Sequence, residues 1–350
     1  MLDISADIVN LTAALVDIPS ESRQEQRIAD AVESALRQLD HVQVTRFENS
    51  VVARTELGRD ERVVIAGHLD TVPAADNLPH RIDGDRLYGL GSNDMKGGVA
   101  VGLRCAHEIR EPRRDVTYVF YECEEIDDEA NGLRRLVEAH PDLLSADFAV
   151  LMEPSDAGVE AGCQGTLRAH IRTSGERAHS ARSWLGRNAI HAAGDILHRL
   201  EQYAPRTPTI DGLTYREGMN AVGIEGGVAT NVIPDACVVT VNYRYAPDRS
   251  PEEAEAYMRE FFDGYPLEIV DNAQGALPGL SHPAAQAFLE ATGSVPRPKF
   301  GWTDVSRFSA LGVPAVNFGP GDPALAHTRG EYVPIEHLHR CEQQMLEWLR

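Results

Sequence analysis

Apolar positions recur at helical spacing in the first forty residues, at Ile8, Leu11 and Leu15 and again at Ile28, Val32 and Leu36, with the turn Pro19-Ser20-Glu21-Ser22 between them. The spacing predicts two helices. Three continuous apolar runs follow: Val63-Val64-Ile65-Ala66-Gly67, Val116 to Tyr121, and Phe148-Ala149-Val150-Leu151-Met152. Runs without polar alternation fit strands buried on both faces of a sheet. Helical stretches at Val99–Ile109 and Gly132–His140 lie between them, giving the strand and helix alternation of a layered α/β sheet. Toward the C-terminus, Pro314-Ala315-Val316-Asn317-Phe318 predicts a further strand, and Pro334–Leu349 a closing helix with proline in its first turn.

The middle of the chain has another rhythm. Strands are expected at Leu167–Arg172, Ala221–Gly226, Cys237–Tyr245 and Leu267–Val270, and helices at Asn188–Tyr203 and Pro251–Phe262. That order, β-α-β-β-α-β, is the ferredoxin-like unit. The expected organisation is an α/β domain built from 1–165 and 277–350, interrupted by an α+β domain at 166–276. A length of 350 residues suits two domains.

Composition narrows the function classes. Thirty-three basic against fifty-four acidic residues give a net charge of −21, which repels phosphate backbones and anionic lipid, so neither nucleic acid nor membrane is an expected partner. No apolar run approaches the roughly 20 residues that span a bilayer. The N-terminus, Met1 to Asp7, carries acids where a signal peptide needs positive charge, and the chain therefore reads as cytoplasmic. The five cysteines are scattered and form no Cys-x-x-Cys pair, which argues against a disulfide framework and against a thiolate zinc site. Lys96 and Lys299 are the only lysines, so recognition of an anionic substrate falls largely to arginine.

The polar residues at the strand ends carry the chemistry. His68 and Asp70 follow the first run, Glu124 and Glu125 the second, and Glu153 the third. Ligands of open α/β sheets bind beyond the carboxyl ends of the strands, so these side chains should converge. Asp94 lies in Gly91-Ser92-Asn93-Asp94-Met95-Lys96-Gly97-Gly98, and His327 in the loop after the last strand. His68, Asp94, Glu125, Glu153 and His327 supply two imidazoles and three carboxylates, a donor set suited to zinc, Co²⁺ or Mn²⁺ and sufficient for two ions sharing one carboxylate. Glu124 would then be an unligated carboxylate placed for general-base hydrolysis. Singly, each has an ordinary reading: Asp94 as a helix N-cap, His327 as a loop histidine, Glu124-Glu125 as a solvated pair. Jointly, those readings require several independent coincidences.

These segments, with Gly67-His68-Leu69-Asp70-Thr71-Val72-Pro73, Met152-Glu153-Pro154 and Ala178-His179-Ser180-Ala181, resemble the M20 metallopeptidase and aminoacylase family over essentially the whole chain. The resemblance implies a zinc-dependent, exopeptidase-like α/β catalytic domain with an inserted lid domain that pairs two subunits into a homodimer. It implies two zinc ions per subunit, with Co²⁺ a possible substitute, bridged by Asp94; His68 and Glu153 complete one site, Glu125 and His327 the other. Glu124 matches the family's general base, Asp70 the carboxylate that orients His68, and Asp94-Met95 a cis peptide bond. His179 matches a lid histidine that reaches the partner's active site to stabilise an oxyanion. Asn231 and Arg244 match lid positions that hold substrate, Thr303 would line the pocket, and Arg182 could add charge.

Within the family, Gly301 to Phe308 and Gly312 to Gly321 are similar to the desuccinylase branch of the actinobacterial type, more than to acetylornithine deacetylases or carboxypeptidases. The implied substrate is a small anionic N-acyl amino acid, N-succinyl-LL-2,6-diaminopimelate. A deacetylase or dipeptidase of the same family is the nearest alternative, and a non-catalytic metal-binding dimer is an alternative of another class. The chain departs from its relatives at Glu122-Cys123, where they often carry Asp or His.

Overall fold

The computed structural model describes residues 2–350 and divides into two compact units. The first comprises the chain up to Gly162 together with Pro278–Arg297 and Asp304–Arg350; the second comprises Cys163–Leu277 and Pro298–Thr303. Thr303 thus belongs with the inserted unit.

An eight-stranded mixed sheet forms the centre of the first unit. Across it stand Gln43–Phe47, Ser50–Arg54, Asp115–Tyr121, Arg62–His68, Phe148–Leu151 and Ala315–Asn317, followed by two short edge strands. Arg62–His68 runs parallel to both Asp115–Tyr121 and Phe148–Leu151, and Ala315–Asn317 runs parallel to Phe148–Leu151. Every residue of Asp115–Tyr121 and Phe148–Leu151 is buried, which explains their unbroken apolar character. The hairpin Gln43–Arg54 has no counterpart in the apolar pattern, because its outer strand leaves every residue exposed or half-buried.

The expected helices form at Ile8–Val16, Gln26–Leu36, Gly97–Glu108 and Gly132–Ala139. Asp7 caps the first by accepting the amides of Val9 and Asn10. A helix at Pro283–Thr292 was not expected; alanines dilute its apolar stripe. The closing helix runs Ile335–Leu349, and Pro334 is its N-cap and the end of a short strand, not a first-turn residue. The five cysteines are all buried free thiols.

The second unit is a four-stranded antiparallel sheet in the order Gly218–Gly226, Ala236–Tyr245, Gly165–Ser174, Leu267–Ala273. By chain order this is 2-3-1-4, the ferredoxin-like arrangement. Burial alternates along Gly165–Ser174 and Ala236–Tyr245, so one face is covered. Ile196 and Met258 from helices Ala189–Glu201 and Pro251–Phe261 join Ile171, Val239 and Val241 in a single core. Among the described residues, no helix is long and apolar enough to cross a membrane.

Candidate metal centre

Parallel strands deliver their C-terminal residues to one edge of the sheet, and the donors gather there. His68 is the last residue of its strand and is buried. Its Nδ1 lies 3.4 Å from Oδ1 of Asp70, and its Nε2 lies 3.2 Å from Oδ1 of Asp94. Burial disfavours the imidazolium, but Asp70, Asp94 and Glu124 outweigh it and hold His68 well above the usual histidine range. Burial likewise acts to raise Asp70, yet His68 and the amides of Glu124 and Glu125 win and hold that carboxyl low.

Asp94 is presented by an irregular turn, Ser92–Lys96, that leads into helix Gly97–Glu108. It is not the N-cap, a position that falls to Lys96. The turn enters at Gly91, whose φ of 74° and close approach to Thr71, 2.7 Å from where a Cβ would stand, exclude a side chain. The Asp94-Met95 peptide bond is cis.

The donor atoms fall into two groups, each within 4.8 Å: His68, Asp94 and Glu153, and Asp94, Glu125 and His327. Asp94 is common to both. His327 Nε2 lies 2.8 Å from Oε2 of Glu125 and 3.6 Å from Oδ2 of Asp94. Metal bonds of about 2.0–2.1 Å in a tetrahedron set ligand atoms about 3.3 Å apart. Spacings of 3.2 and 3.6 Å, with two imidazoles among carboxylates, fit divalent ions in both groups. The hydrogen bond to Glu125 raises His327 to about 9.

Glu124 belongs to neither group. Burial pushes its carboxyl well above the usual range, His68 opposes this, and Asp304, Glu153 and Glu125 add to it. Its amide donates to Oδ1 of Asp70 at 3.0 Å, and the amide of Glu125 to Oδ2 at 3.1 Å.

Two further buried acids close to these donors, Glu331 and Asp304, were not among the candidates read from the sequence. Glu331 accepts the amides of Asn93 and Asp94 at 3.0 and 3.1 Å, and burial raises its carboxyl to about 7. Asp304 is fully buried and takes hydrogen bonds from Arg307 and Asn131. Glu331 has no local signal, because its partners lie more than two hundred residues earlier in the chain.

The remaining candidates stand in the second unit. His179 is exposed and its Nδ1 accepts the amide of Ala181. The amide of Ser180 donates to the carbonyl of Asn231 at 2.9 Å, so His179 and Asn231 share one end of this unit. Arg244 is half-buried and donates to Asn242, desolvation lowering its pKa. Thr303 is buried, its carbonyl facing the Cys163 thiol.

Residues 64–350 match the model of peptidase family M20/M25/M40. A Mycobacterium tuberculosis chain provisionally assigned as the succinyl-diaminopimelate desuccinylase DapE is 58% identical, with 97% of this chain and 96% of that one covered. The succinyl-diaminopimelate desuccinylase of Corynebacterium glutamicum is 49% identical over 96% of this chain and 94% of its own length. Among solved structures, a tripeptidase from Staphylococcus aureus superposes with a TM-score of 0.79 at 22% identity, covering 100% of this chain and 98% of that one. An M20 metallo-carboxypeptidase from Sulfolobus solfataricus gives 0.77 at 17% identity, with 98% of each chain covered, so the fold is common to both. On the length of these matches, the chain belongs to the M20/M25/M40 peptidase family.

Proposed function

We propose that this protein is a metal-dependent amidohydrolase that cleaves N-succinyl-LL-2,6-diaminopimelate to succinate and LL-2,6-diaminopimelate, a step of lysine biosynthesis in the cytoplasm. The observation that carries the substrate is the identity of 58% and 49% to two desuccinylases over nearly the full chain. His68, Asp94 and Glu153 would hold one zinc ion and Asp94, Glu125 and His327 a second, with cobalt able to substitute. Bound there, the ions supply Lewis acidity at the amide carbonyl.

The protein's own groups do the rest. Glu124 takes a proton from the attacking water and returns it to the departing amine nitrogen, a task suited to a carboxyl whose pKa burial has raised above the usual carboxylate range. Asp70 accepts from Nδ1 of His68, its carbonyl oxygen at 3.1 Å and its carboxylate at 3.4 Å, and so leaves Nε2 free for ligation. The inserted unit pairs two subunits, and His179 of the partner subunit would donate to the developing oxyanion. Asn231, Arg244 and Thr303 would bind the substrate, Arg244 through a carboxylate.

The test is amine release from N-succinyl-LL-2,6-diaminopimelate, N-acetylornithine and a simple dipeptide, with chelated protein before and after zinc is restored. Zinc-dependent release from the succinyl compound alone is expected, and Glu124→Ala should lower it about 100- to 10,000-fold with metal still bound. Acetylornithine is the specific alternative, since a Myxococcus xanthus acetylornithine deacetylase is 30% identical over 95% of this chain. Preference for that compound would move the substrate. Silence on all three would leave a non-catalytic metal-binding dimer.

A further inference from the structure

The turn that carries Glu124 is tied to two buried carboxylates, and only one of them, Asp70, has been given a role. The other is Glu25, at the N-cap of helix Gln26–Leu36 and fully buried. A residue there normally turns its side chain onto its own helix, but Glu25 makes no such bond. Its Oε1 instead accepts the amide of Cys123 at 3.1 Å, the Cys123 thiol at 3.2 Å and the amide of Arg23 at 2.9 Å. Cys123 has φ of 57°, a left-handed conformation uncommon for any residue with a Cβ. The next two amides, of Glu124 and Glu125, go to Asp70. Three successive N–H groups are thus aimed at two carboxylates from distant segments. The same loop also holds Asp70, because Ser22 Oγ donates to its Oδ2 at 2.8 Å.

A different reading of this corner is a third metal group, since Glu25, Glu122 and Cys123 bring donor atoms within 4.8 Å. Against it, Oε1 of Glu122 already accepts from Arg135 at 2.5 Å and from the Asn49 amide at 3.2 Å. The thiol already donates to Glu25.

We propose that Glu25 is a positioning residue for the general base: by holding the amide of Cys123 it sets the left-handed turn and hence the direction in which Glu124 leaves the sheet. The proposal rests on the assignment of Glu124 as the base.

The experiment is a double-mutant cycle on metal-loaded enzyme, using whichever substrate of the panel above is turned over. Glu25→Gln keeps the size and one acceptor oxygen; Glu25→Ala removes both. We expect kcat to fall about 10-fold and about 100-fold respectively, with KM within about twofold, fractions of what a general base contributes. Bound metal per chain should not change. In a Glu124→Ala background, Glu25→Ala should cost less than about twofold more, because residues acting as a unit are not additive. A full additive loss in that background, a rise in KM with kcat unchanged, or a lost metal ion would each overturn the positioning role. If Glu25→Ala does not fold, the same comparison is made with Glu25→Gln. Turnover undiminished in Glu124→Ala alone would instead overturn the base, and the positioning role with it.

Discussion

Asp70 and His68 are joined side chain to side chain at one end of the imidazole, with 3.4 Å between Asp70 Oδ1 and His68 Nδ1, while the other end faces Asp94 at 3.2 Å. Nδ1 also lies 3.1 Å from the Asp70 carbonyl oxygen, so Asp70 faces one imidazole nitrogen through backbone and side chain and, by accepting the amides of Glu124 and Glu125, holds the turn that carries Glu124.

Asp70→Asn puts an NH₂ group where one of those amides or the imidazole N–H now finds an acceptor. Activity and metal affinity should each fall about 10- to 100-fold. Kinetics beside metal titration check this; a variant that keeps its metal affinity would show that Asp70 acts on the turn alone.

Asp94 is the donor common to both groups. Glu153→Ala and His327→Ala should each lose one ion per chain, whereas Asp94→Ala should lose both. Elemental analysis after gel filtration decides it, and loss of a single ion from Asp94→Ala would remove the bridge.

Asp115 offers a pH test away from the metal centre. Burial acts to raise its carboxyl, but the amides of Leu57 and Arg59, the Thr55 hydroxyl and the charge of Arg62 overcome this and hold it below the usual range. A lowered folded pKa means that the contribution is present above the unfolded value of about 3.9 and is lost as pH falls through the folded one. Asp115→Asn should cost about 2 kcal/mol at neutral pH. Urea unfolding from pH 7 to 3.5 should show the gap to the parent shrink at the acid end; a constant gap would mean the carboxylate charge is not what the site holds.

Gly98 lies where helix Gly97–Glu108 crosses the strand end that precedes Glu153. A Cβ there would stand 2.0 Å from the Met152 carbonyl oxygen, and backbone cannot yield as a side-chain tip can. Gly98→Ala should destabilise by at least about 1–3 kcal/mol. Gly194, in helix Ala189–Glu201, has nothing within 4 Å, and Gly194→Ala should leave Tm unchanged or raise it. Equal melting of the two variants would refute the close approach at Gly98.

The parallel strands were legible because burial on both faces demands an unbroken apolar run, as in Asp115–Tyr121. The α+β order of the insert was legible because strands Gly165–Ser174 and Ala236–Tyr245 and helix Ala189–Glu201 each bury one face with their own period. The polar residues just beyond those runs could be named as donors for the same reason, since a strand end has one place to go.

Bonds between segments far apart in the chain leave no such periodicity. Glu25 holds Cys123 from ninety-eight positions away, and Glu331 holds Asp94 from two hundred and thirty-seven. In sequence each is one acid among fifty-four. The hairpin Gln43–Arg54 was hidden too, since its outer strand is short and none of its residues is buried. Local pattern alone determined the buried parallel strands and the polar residues that end them. Packing of distant loops decided how those donors are aimed, because a buried carboxylate is committed only by the donors that the folded chain brings to it.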